Sequence, residues 1–206
     1  MSGSSPSRWR RRRLKFSSNI NRSSLPETTD EDYEFDYVDI SRVSQGRISD
    51  EPQMTTFGSA PSRARRLAKP GDTIVSTVRT YLRAVAAVIP SEEPRVFSTG
   101  FAVIEPDTRQ VHPRFLTYYL QSAQFVERVM AESVGVSYPA INASDIAAYD
   151  FWAPPTEEQR AIADFLDRET AQIDAMIEAQ QGVVRALRER HEAGWARSYV
   201  RLTDNT

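Results

Sequence analysis

The segment from residue 70 to residue 84 concentrates side chains that could contact a nucleic acid. It reads PGDTIVSTVRTYLRA, which is a turn, then a strand, then a mixture of hydroxyl groups, arginines and an aromatic ring. Such groups bind phosphates and the edges of bases. The candidate contact residues are Ser76, Thr77, Arg79, Thr80, Tyr81 and Arg83. The same pattern also fits an amphipathic strand with one face in solvent, so chemistry alone leaves both interpretations open.

A second polar loop lies further along the chain, within VGVSYPAINASDI. Ser137, Tyr138 and Asn142 would be its contact groups if it faced a nucleic acid. Alternatively the loop is a turn in which Asn142 caps the next helix. The most basic stretch, Arg10 to Arg13, follows a small and polar start. A charge run in that position is more often a solvated edge than a clamp.

Composition argues against metal, thiol and phosphate-loop chemistry. The chain has 206 residues with no cysteine and two histidines, so disulfides, thiolate nucleophiles and histidine-rich metal sites are not expected. Neither lysine follows a glycine, and neither stands two residues after an acidic residue, so phosphate-loop and nuclease motifs are missing. We therefore predict a binding protein rather than an enzyme, with no metal and no cofactor of its own.

Charge is distributed unevenly along the chain, whose formal net charge is −2. Residues 1–70 carry thirteen Lys and Arg against nine Asp and Glu, whereas residues 153–206 carry seven against ten. The beginning is basic and the end acidic, which permits a local basic face without bulk attraction to nucleic acid. No apolar run approaches the roughly 18 residues of a membrane span, and no signal peptide is evident. We expect a cytoplasmic protein that does not enter a membrane.

The pattern of apolar residues divides the chain into a mixed domain and a long helix, which predicts an α+β fold. Residues 9–153 form the predicted mixed α/β domain, and residues 154–201 the predicted coiled-coil helix. The flanking residues 1–8 and 202–206 are expected to be disordered or frayed. Within the domain, the runs typical of strands are 35–40, 73–78, 85–89 and 102–104, and the run typical of a helix is 113–130.

The predicted long helix has its own start signal and its own apolar stripe. Thr156 is the expected N-cap, with Gln159 three residues later as in a capping box. Leucines and isoleucines recur about seven residues apart, as in a coiled-coil seam. The predicted pairing face consists of Ile162, Phe165, Leu166, Ile173, Met176, Ile177, Val184 and Leu187. Because the preceding domain is too small to cover such a helix, the helix must pair with another copy or with another protein.

Several longer segments resemble one protein family. They are YVDISRVSQGRI, SRARRLAKPGD, PGDTIVSTVRTYLRAVAAV, FSTGFAVIEP, HPRFLTYYLQS and SVGVSYPAINASDIAAYDFWAPPTEEQRAIADFLDRETAQIDAMI. In this order they resemble a target-recognition domain and spacer helix of the DNA specificity subunits of type I restriction-modification systems. The most specific part is the PP-x-EEQRAIADFLD pattern that opens the long helix. The resemblance covers about residues 9–195.

This resemblance implies a function in which catalysis belongs to partners. Methyltransferase subunits would carry S-adenosylmethionine and methylate adenine, and a motor-nuclease subunit could also join the complex. The chain would supply recognition of double-stranded DNA, with Arg42 and Arg47 as additional, weaker contact candidates. Full-length members carry two recognition domains and two helices, whereas this sequence shows one of each. A homodimer through the long helix, reading a split palindromic site, is therefore the expected assembly.

Two other functions stay open at this stage. A regulatory or decoy half-subunit would bind the methyltransferase without directing it to DNA. A structural coiled-coil adaptor would bind neither the methyltransferase nor DNA.

Overall fold

A computed structural model describes residues 8–203, and side chains as far as residue 191. Its strands are β1 (Arg10–Arg13), β2 (Ser18–Ile20), β3 (Glu34–Val38), β4 (Val43–Ser44), β5 (Arg47–Ile48), β6 (Met54–Thr56), β7 (Ala64–Leu67), β8 (Thr73–Ser76), β9 (Val85–Ala87), β10 (Arg95–Ser98), β11 (Phe101–Pro106) and β12 (Asp150–Ala153). Its α-helices are α1 (Pro113–Gln121), α2 (Ala123–Glu132), α3 (Ala143–Ala147) and α4 (Thr156–Thr203). This architecture confirms the predicted α+β class. The four predicted strands are present as β3, β8, β9 and β11, with ends shifted by one or two residues.

Two four-stranded sheets form the framework of the domain. One has the order β2-β11-β8-β9 and is antiparallel throughout. The other has the order β6-β3-β10-β7, and its central pair β3 and β10 is parallel. The chain passes from the second sheet to the first twice, between β7 and β8 and through the two-residue connection between β10 and β11. The short β10–β11 connection therefore lies where the two sheets meet.

The strands β1 and β12 pair as a separate two-stranded ribbon. The main core packs α1, α2 and β12 against the first sheet. Its largest buried side chains include Leu116, Leu120, Phe125, Ile146 and Tyr149. A second cluster lies between the two sheets, around Phe97, Phe101 and Ile74. Burial of this much apolar surface, at ~25 cal/mol per Å², is the dominant favourable contribution to folding.

The helix predicted over residues 113–130 is wrong in one respect, because it is interrupted at Ser122. There the backbone is extended (φ −63°, ψ 147°) and the Ser122 side chain accepts a hydrogen bond from the amide of Phe125. Ser122 thus caps the start of α2, and serine is among the residues that favour this position. The apolar periodicity continues through the break because both helices turn their apolar faces toward the same core.

The long helix begins within the compact domain. Pro155 accepts the first helical hydrogen bond, from the amide of Gln159 at 3.0 Å, so Pro155 and not Thr156 occupies the cap. Gln159 is buried: its Oε1 accepts from the amide of His112 at 2.7 Å, and its Nε2 donates to the carbonyl of Pro154 at 2.8 Å. The predicted capping box therefore does not form. Gln159 instead ties the start of α4 to the residues before α1.

The chain separates into two compact units, one ending at Ala163 and one beginning at Asp164. The first unit thus extends beyond the boundary predicted at residue 153, because Gln159 and Ala163 are buried within it. The second unit is the remainder of α4. The predicted disordered residues 1–7 and frayed residues 204–206 lie outside the described part of the chain, and residues 202 and 203 are helical. Among the described residues, no helix is long and apolar enough to cross a membrane.

Candidate nucleic-acid interface

The two polar segments singled out in the sequence lie side by side. The amide of Ile141 donates to the carbonyl of Thr77 at 2.9 Å, and Val78 and Ala140 form an antiparallel bridge. The end of β8 and the loop before α3 are therefore held together by backbone hydrogen bonds. Their side chains can act on one ligand.

Two arginines of the first segment adopt a backbone conformation that is unusual for them. Arg79 (φ 50°, ψ 46°) and Arg83 (φ 52°, ψ 34°) are both left-handed, and they flank a single 3-10 turn at Thr80–Leu82. A non-glycine residue in this region costs on the order of 1 kcal/mol and persists only where its surroundings enforce it. The turn projects both arginines into solvent, together with Tyr81, which is 51% exposed.

Tyr138 connects the two segments. The Arg79 guanidinium lies 5.2 Å from the centre of the Tyr138 ring, within the range of a cation–π contact. Ser137 and Asn142 are exposed in the same loop, and the Asn142 side-chain amide donates to Asp145 at 3.1 Å. The predicted residues that the structure brings together at the surface are Arg79, Tyr81, Arg83, Ser137, Tyr138 and Asn142.

Three of the predicted contact hydroxyls are used inside the domain instead. Ser76 is buried, and its Oγ donates to the carbonyl of Val78. Thr77 Oγ1 donates to the carbonyl of Gly100 at 2.9 Å, and Thr80 Oγ1 donates to Ser133 Oγ at 2.9 Å. These bonds fix the turn that presents Arg79 and Arg83. We assign the three hydroxyls this positioning role.

The two weaker candidates, Arg42 and Arg47, differ in their surroundings. Arg42 is largely buried and bonds to the Asp36 carboxylate and to the carbonyl of Tyr37 at 2.8 Å. Burial alone would raise the pKa of Asp36, but the hydrogen bonds from Arg42 and from the Gln53 amide outweigh it and lower the pKa below 3.8. Because both terminal nitrogens of its guanidinium donate to groups inside the domain, we leave Arg42 out of the proposed contact set. Arg47 is exposed on the short hairpin of β4 and β5.

The basic run at the start of the chain forms β1 and pairs with β12. Arg11 contacts Asp150 at 2.5 Å, Arg13 lies 3.6 Å from the same carboxylate, and Arg12 donates to Gln110 at 2.6 Å. These contacts stabilise the ribbon that leads into α4. Contacts within the domain therefore explain three of the four arginines in this run without a role in binding nucleic acid.

Sequence reasoning missed a group of residues that line a cleft beside Arg79. The cleft has a volume of about 510 Å³. Its unpredicted polar residues are Asp39, Ser41, Arg63, Ser98 and Thr99. They come from three stretches, 39–41, 63 and 98–99, that are far apart in the sequence, so no short spacing could have grouped them.

The predicted pairing face of α4 has two parts. Ile162 belongs to the first compact unit, and the residues from Phe165 onward, here called the outer part of α4, belong to the second. Ile162 is half-buried against the main core of the domain, so it is not free to pair. The described residues beyond it remain largely open to solvent: Phe165 is 52% exposed, Ile173 50% and Leu187 58%. Met176, Ile177 and Val184 are similarly exposed, and Leu166 is intermediate. Between residues 8 and 191, no three acidic or histidine side chains come close enough to share a metal ion.

A mixed α+β domain followed by a long helix is the fold of the specificity subunits of restriction-modification systems. The family model described as "Type I restriction modification DNA specificity domain" matches residues 6–182. The chain belongs to this family, which confirms the resemblance drawn from the sequence. Members of this family are specificity subunits and are not themselves catalytic.

Solved structures and a curated relative agree with this membership. The HsdS subunit from Thermoanaerobacter tengcongensis is 30% identical with a TM-score of 0.72, over 85% of this chain and 45% of that one. A chain from a study of assembly and conformational transition of the type I R-M system is 31% identical with a TM-score of 0.72, over 85% and 46%. The HindI specificity subunit of Haemophilus influenzae is 28% identical over 116 residues, which are 55% of this chain and 25% of that protein. The chain thus spans less than half the length of these structures.

Proposed function

We propose that this protein recognises double-stranded DNA for a type I restriction-modification complex in the cytoplasm. The observation that supports this most directly is that Arg79 and Arg83 are both held in left-handed backbone conformations, exposed and without a carboxylate partner among the described residues, and that Arg79 also lies against the Tyr138 ring. Two cations fixed in this way suit contacts to phosphates and base edges. Partner methyltransferase subunits would carry S-adenosylmethionine and methylate the DNA that this chain selects. A motor-nuclease subunit would join where DNA is also cleaved.

The outer part of α4 is proposed to pair with a second copy of this chain. Its exposed apolar stripe repeats at three and four residues, as in a coiled-coil seam. Charge favours the antiparallel arrangement. Residues 156–178 contain seven acidic and two basic residues, whereas residues 179–191 contain three arginines and one glutamate. An antiparallel pair brings each acidic half beside a basic half, while a parallel pair would bring like charges together.

Such a pair would carry two recognition domains related by a twofold axis. Two copies supply the two domains and two helices that the family resemblance implies for full-length members. A twofold pair reads the same half-site on each side, so the target would be a palindrome interrupted by a spacer. The length of the paired helices would set the spacer.

Co-expression with a type I methyltransferase subunit tests this function. We would purify the complex, measure its mass, and map methylated adenines in the DNA of the expressing cells, with cells expressing the methyltransferase alone as control. A twofold complex with methylation at a split palindrome is the expected result. A stable complex that leaves the DNA unmarked would indicate the regulatory decoy. Absence of any complex would indicate the coiled-coil adaptor.

A further inference from the structure

The cleft beside Arg79 has charged walls and an apolar floor. Its polar and charged lining, here called the walls, consists of Asp39, Ser41, Arg63, Arg79, Ser98, Thr99 and Tyr138, and its apolar lining, here called the floor, consists of Ile40, Val78 and Gly100. We call these ten residues the recognition cleft. A Cβ atom at position 100 would lie 2.9 Å from Ile40 Cδ1 and 3.1 Å from Val78 Cγ2. The floor is therefore closely packed, and its depth depends on a glycine at this position.

The charges of the recognition cleft are only partly neutralised. Among the described residues, neither Arg63 nor Arg79 forms a salt bridge, and the Arg79 guanidinium lies over the Tyr138 ring. Asp39 accepts hydrogen bonds through one oxygen, from the amide of Ser41 at 2.9 Å and from its hydroxyl at 2.7 Å. The other oxygen of Asp39 accepts none from described residues. Donors and an acceptor are thus available in one cleft.

A carboxylate on a surface that faces DNA needs a specific explanation. Phosphates repel it, so it adds nothing to attraction by the backbone. A carboxylate can, however, accept a hydrogen bond from the N4 amino group of cytosine in the major groove. An arginine forms two hydrogen bonds with O6 and N7 of guanine, the partner of that cytosine. Asp39 and Arg79 together are therefore complementary to one guanine–cytosine pair.

We infer that the recognition cleft reads a guanine–cytosine pair, with Arg79 on guanine and Asp39 on the cytosine amino group. The Tyr138 ring attracts the Arg79 guanidinium and restricts its motion, so binding has less conformational freedom to remove. Arg63, exposed at the rim, contacts a neighbouring phosphate. This inference rests on the proposed function, since it names the base pair that the same surface selects.

Selection from a randomised double-stranded DNA library by the purified complex with methyltransferase tests the inference. The wild-type complex should enrich sequences with a guanine–cytosine pair at one or more fixed positions. Arg79→Lys keeps the charge but loses the paired hydrogen bonds, and Asp39→Asn loses the charged acceptor. Each should relax one and the same position, lowering discrimination there on the order of 10- to 100-fold. Arg63→Ala should weaken binding to all sequences alike and reduce the salt dependence by about one phosphate contact.

Arg109→Lys serves as the matched control, because Arg109 lies outside the recognition cleft and pairs with Asp107 at 2.9 Å. It should leave the selected sequences unchanged, and melting temperatures should show that all variants are folded. If the wild type selects a sequence but Arg79→Lys and Asp39→Asn select the same one, the inference is overturned and the proposed function stands. The inference is also overturned if they relax a position that is not guanine–cytosine. If the wild type selects no sequence, both fail together.

Discussion

Arg42 lies against the buried carboxylate of Asp36, and the same guanidinium also donates to the carbonyls of Tyr37 and Ser49. Arg95 contacts the second oxygen of Asp36 at 3.2 Å. Asp36 is only 2% exposed, so this cluster is among the few charged groups inside the domain. The cluster holds the second sheet to the residues around Asp39, which form one wall of the recognition cleft.

Replacing Asp36 by Asn should destabilise the domain strongly. The change leaves Arg42 and Arg95 without their counter-charge in a largely buried site, and breaking such a cluster costs about 3 to 5 kcal/mol. Chemical denaturation of both proteins at pH 7 measures the loss. Asp50→Asn, at an exposed carboxylate, is the control and should change the free energy of unfolding by less than about 0.5 kcal/mol. If Asp36→Asn lowered the free energy of unfolding as little as the control does, the cluster would not have the structural role assigned to it.

The stabilisation by Asp36 should also depend on pH. Its pKa in the folded protein is lowered, so its contribution is present above the ordinary pKa of 3.8 and is lost as the pH falls through the folded value. The difference in unfolding free energy between wild type and Asp36→Asn should therefore shrink as the pH falls from 5 toward the folded pKa. Denaturation curves at a series of pH values measure this difference. A difference that stays constant would show that the Asp36 charge is not involved.

Introducing a charge into the apolar stripe of α4 should separate the paired chains without unfolding the domain. Ile173→Asp would bury a carboxylate in the seam, which is costly without a partner. Ala175→Asp is the matched control, because it lies ~200° around the helix from Ile173, on the side away from the stripe. Mass measurement by light scattering should give a monomer for Ile173→Asp and a dimer for Ala175→Asp and the wild type. Equal masses for all three proteins would mean that the apolar stripe around Ile173 does not hold the pair together.

A methyl group at position 100 should disturb the floor of the recognition cleft. Gly100→Ala brings its Cβ within 2.9 Å of Ile40, and such overpacking costs about 1 to 3 kcal/mol. Thermal unfolding should show a lower melting temperature. Gly182→Ala is the control: its Cβ meets nothing within 4 Å, and alanine favours a helix by about 1 kcal/mol over glycine. An unchanged melting temperature for Gly100→Ala would mean that the floor can relax.

Removing the side-chain amide of Gln159 should loosen the start of α4. Gln159→Ala removes the buried acceptor of the His112 amide and the donor to the carbonyl of Pro154, and the loss of such buried hydrogen bonds costs about 1 to 3 kcal/mol. Hydrogen exchange should become faster in residues 154–163 and around His112. The exposed Arg160→Ala should leave the exchange unchanged. Unchanged exchange in Gln159→Ala would show that apolar packing alone holds the helix start.

The sequence predicted the elements better than the details of the surface. Apolar periodicity identified β8 and α4, because burial of a repeated face is a local property of the chain. The same reasoning placed Ser76 and Thr80 at the surface, whereas both are buried. β8 is paired on one edge with its neighbour β9 and on the other with the more distant β11, and Thr80 bonds to Ser133, 53 residues away.

The recognition cleft could not be predicted for the same reason. Asp39, Arg63 and Thr99 are separated by more than 20 residues from each other and meet only through the order of strands in the two sheets. The position of Gln159 predicts a capping box with Thr156, and this prediction is wrong. The Gln159 side chain is buried, and its amide oxygen accepts from the amide of His112. Sequence patterns report the face of an element, and they do not report which distant group meets it.

The walls of the recognition cleft come from five separate connections, around Asp39, Arg63, Arg79, Thr99 and Tyr138. Each connection is anchored by backbone hydrogen bonds, such as that from the amide of Thr99 to the carbonyl of Arg63 at 2.7 Å. Apart from the Asp39 carboxylate, which accepts from the amide of Ser41, the anchoring is made by the backbone and not by the side chains of these five residues. On the inference drawn above, evolution could exchange wall residues one at a time and change the preferred base pair while the two sheets keep their register. New target sequences would then be reachable by single mutations that the fold tolerates.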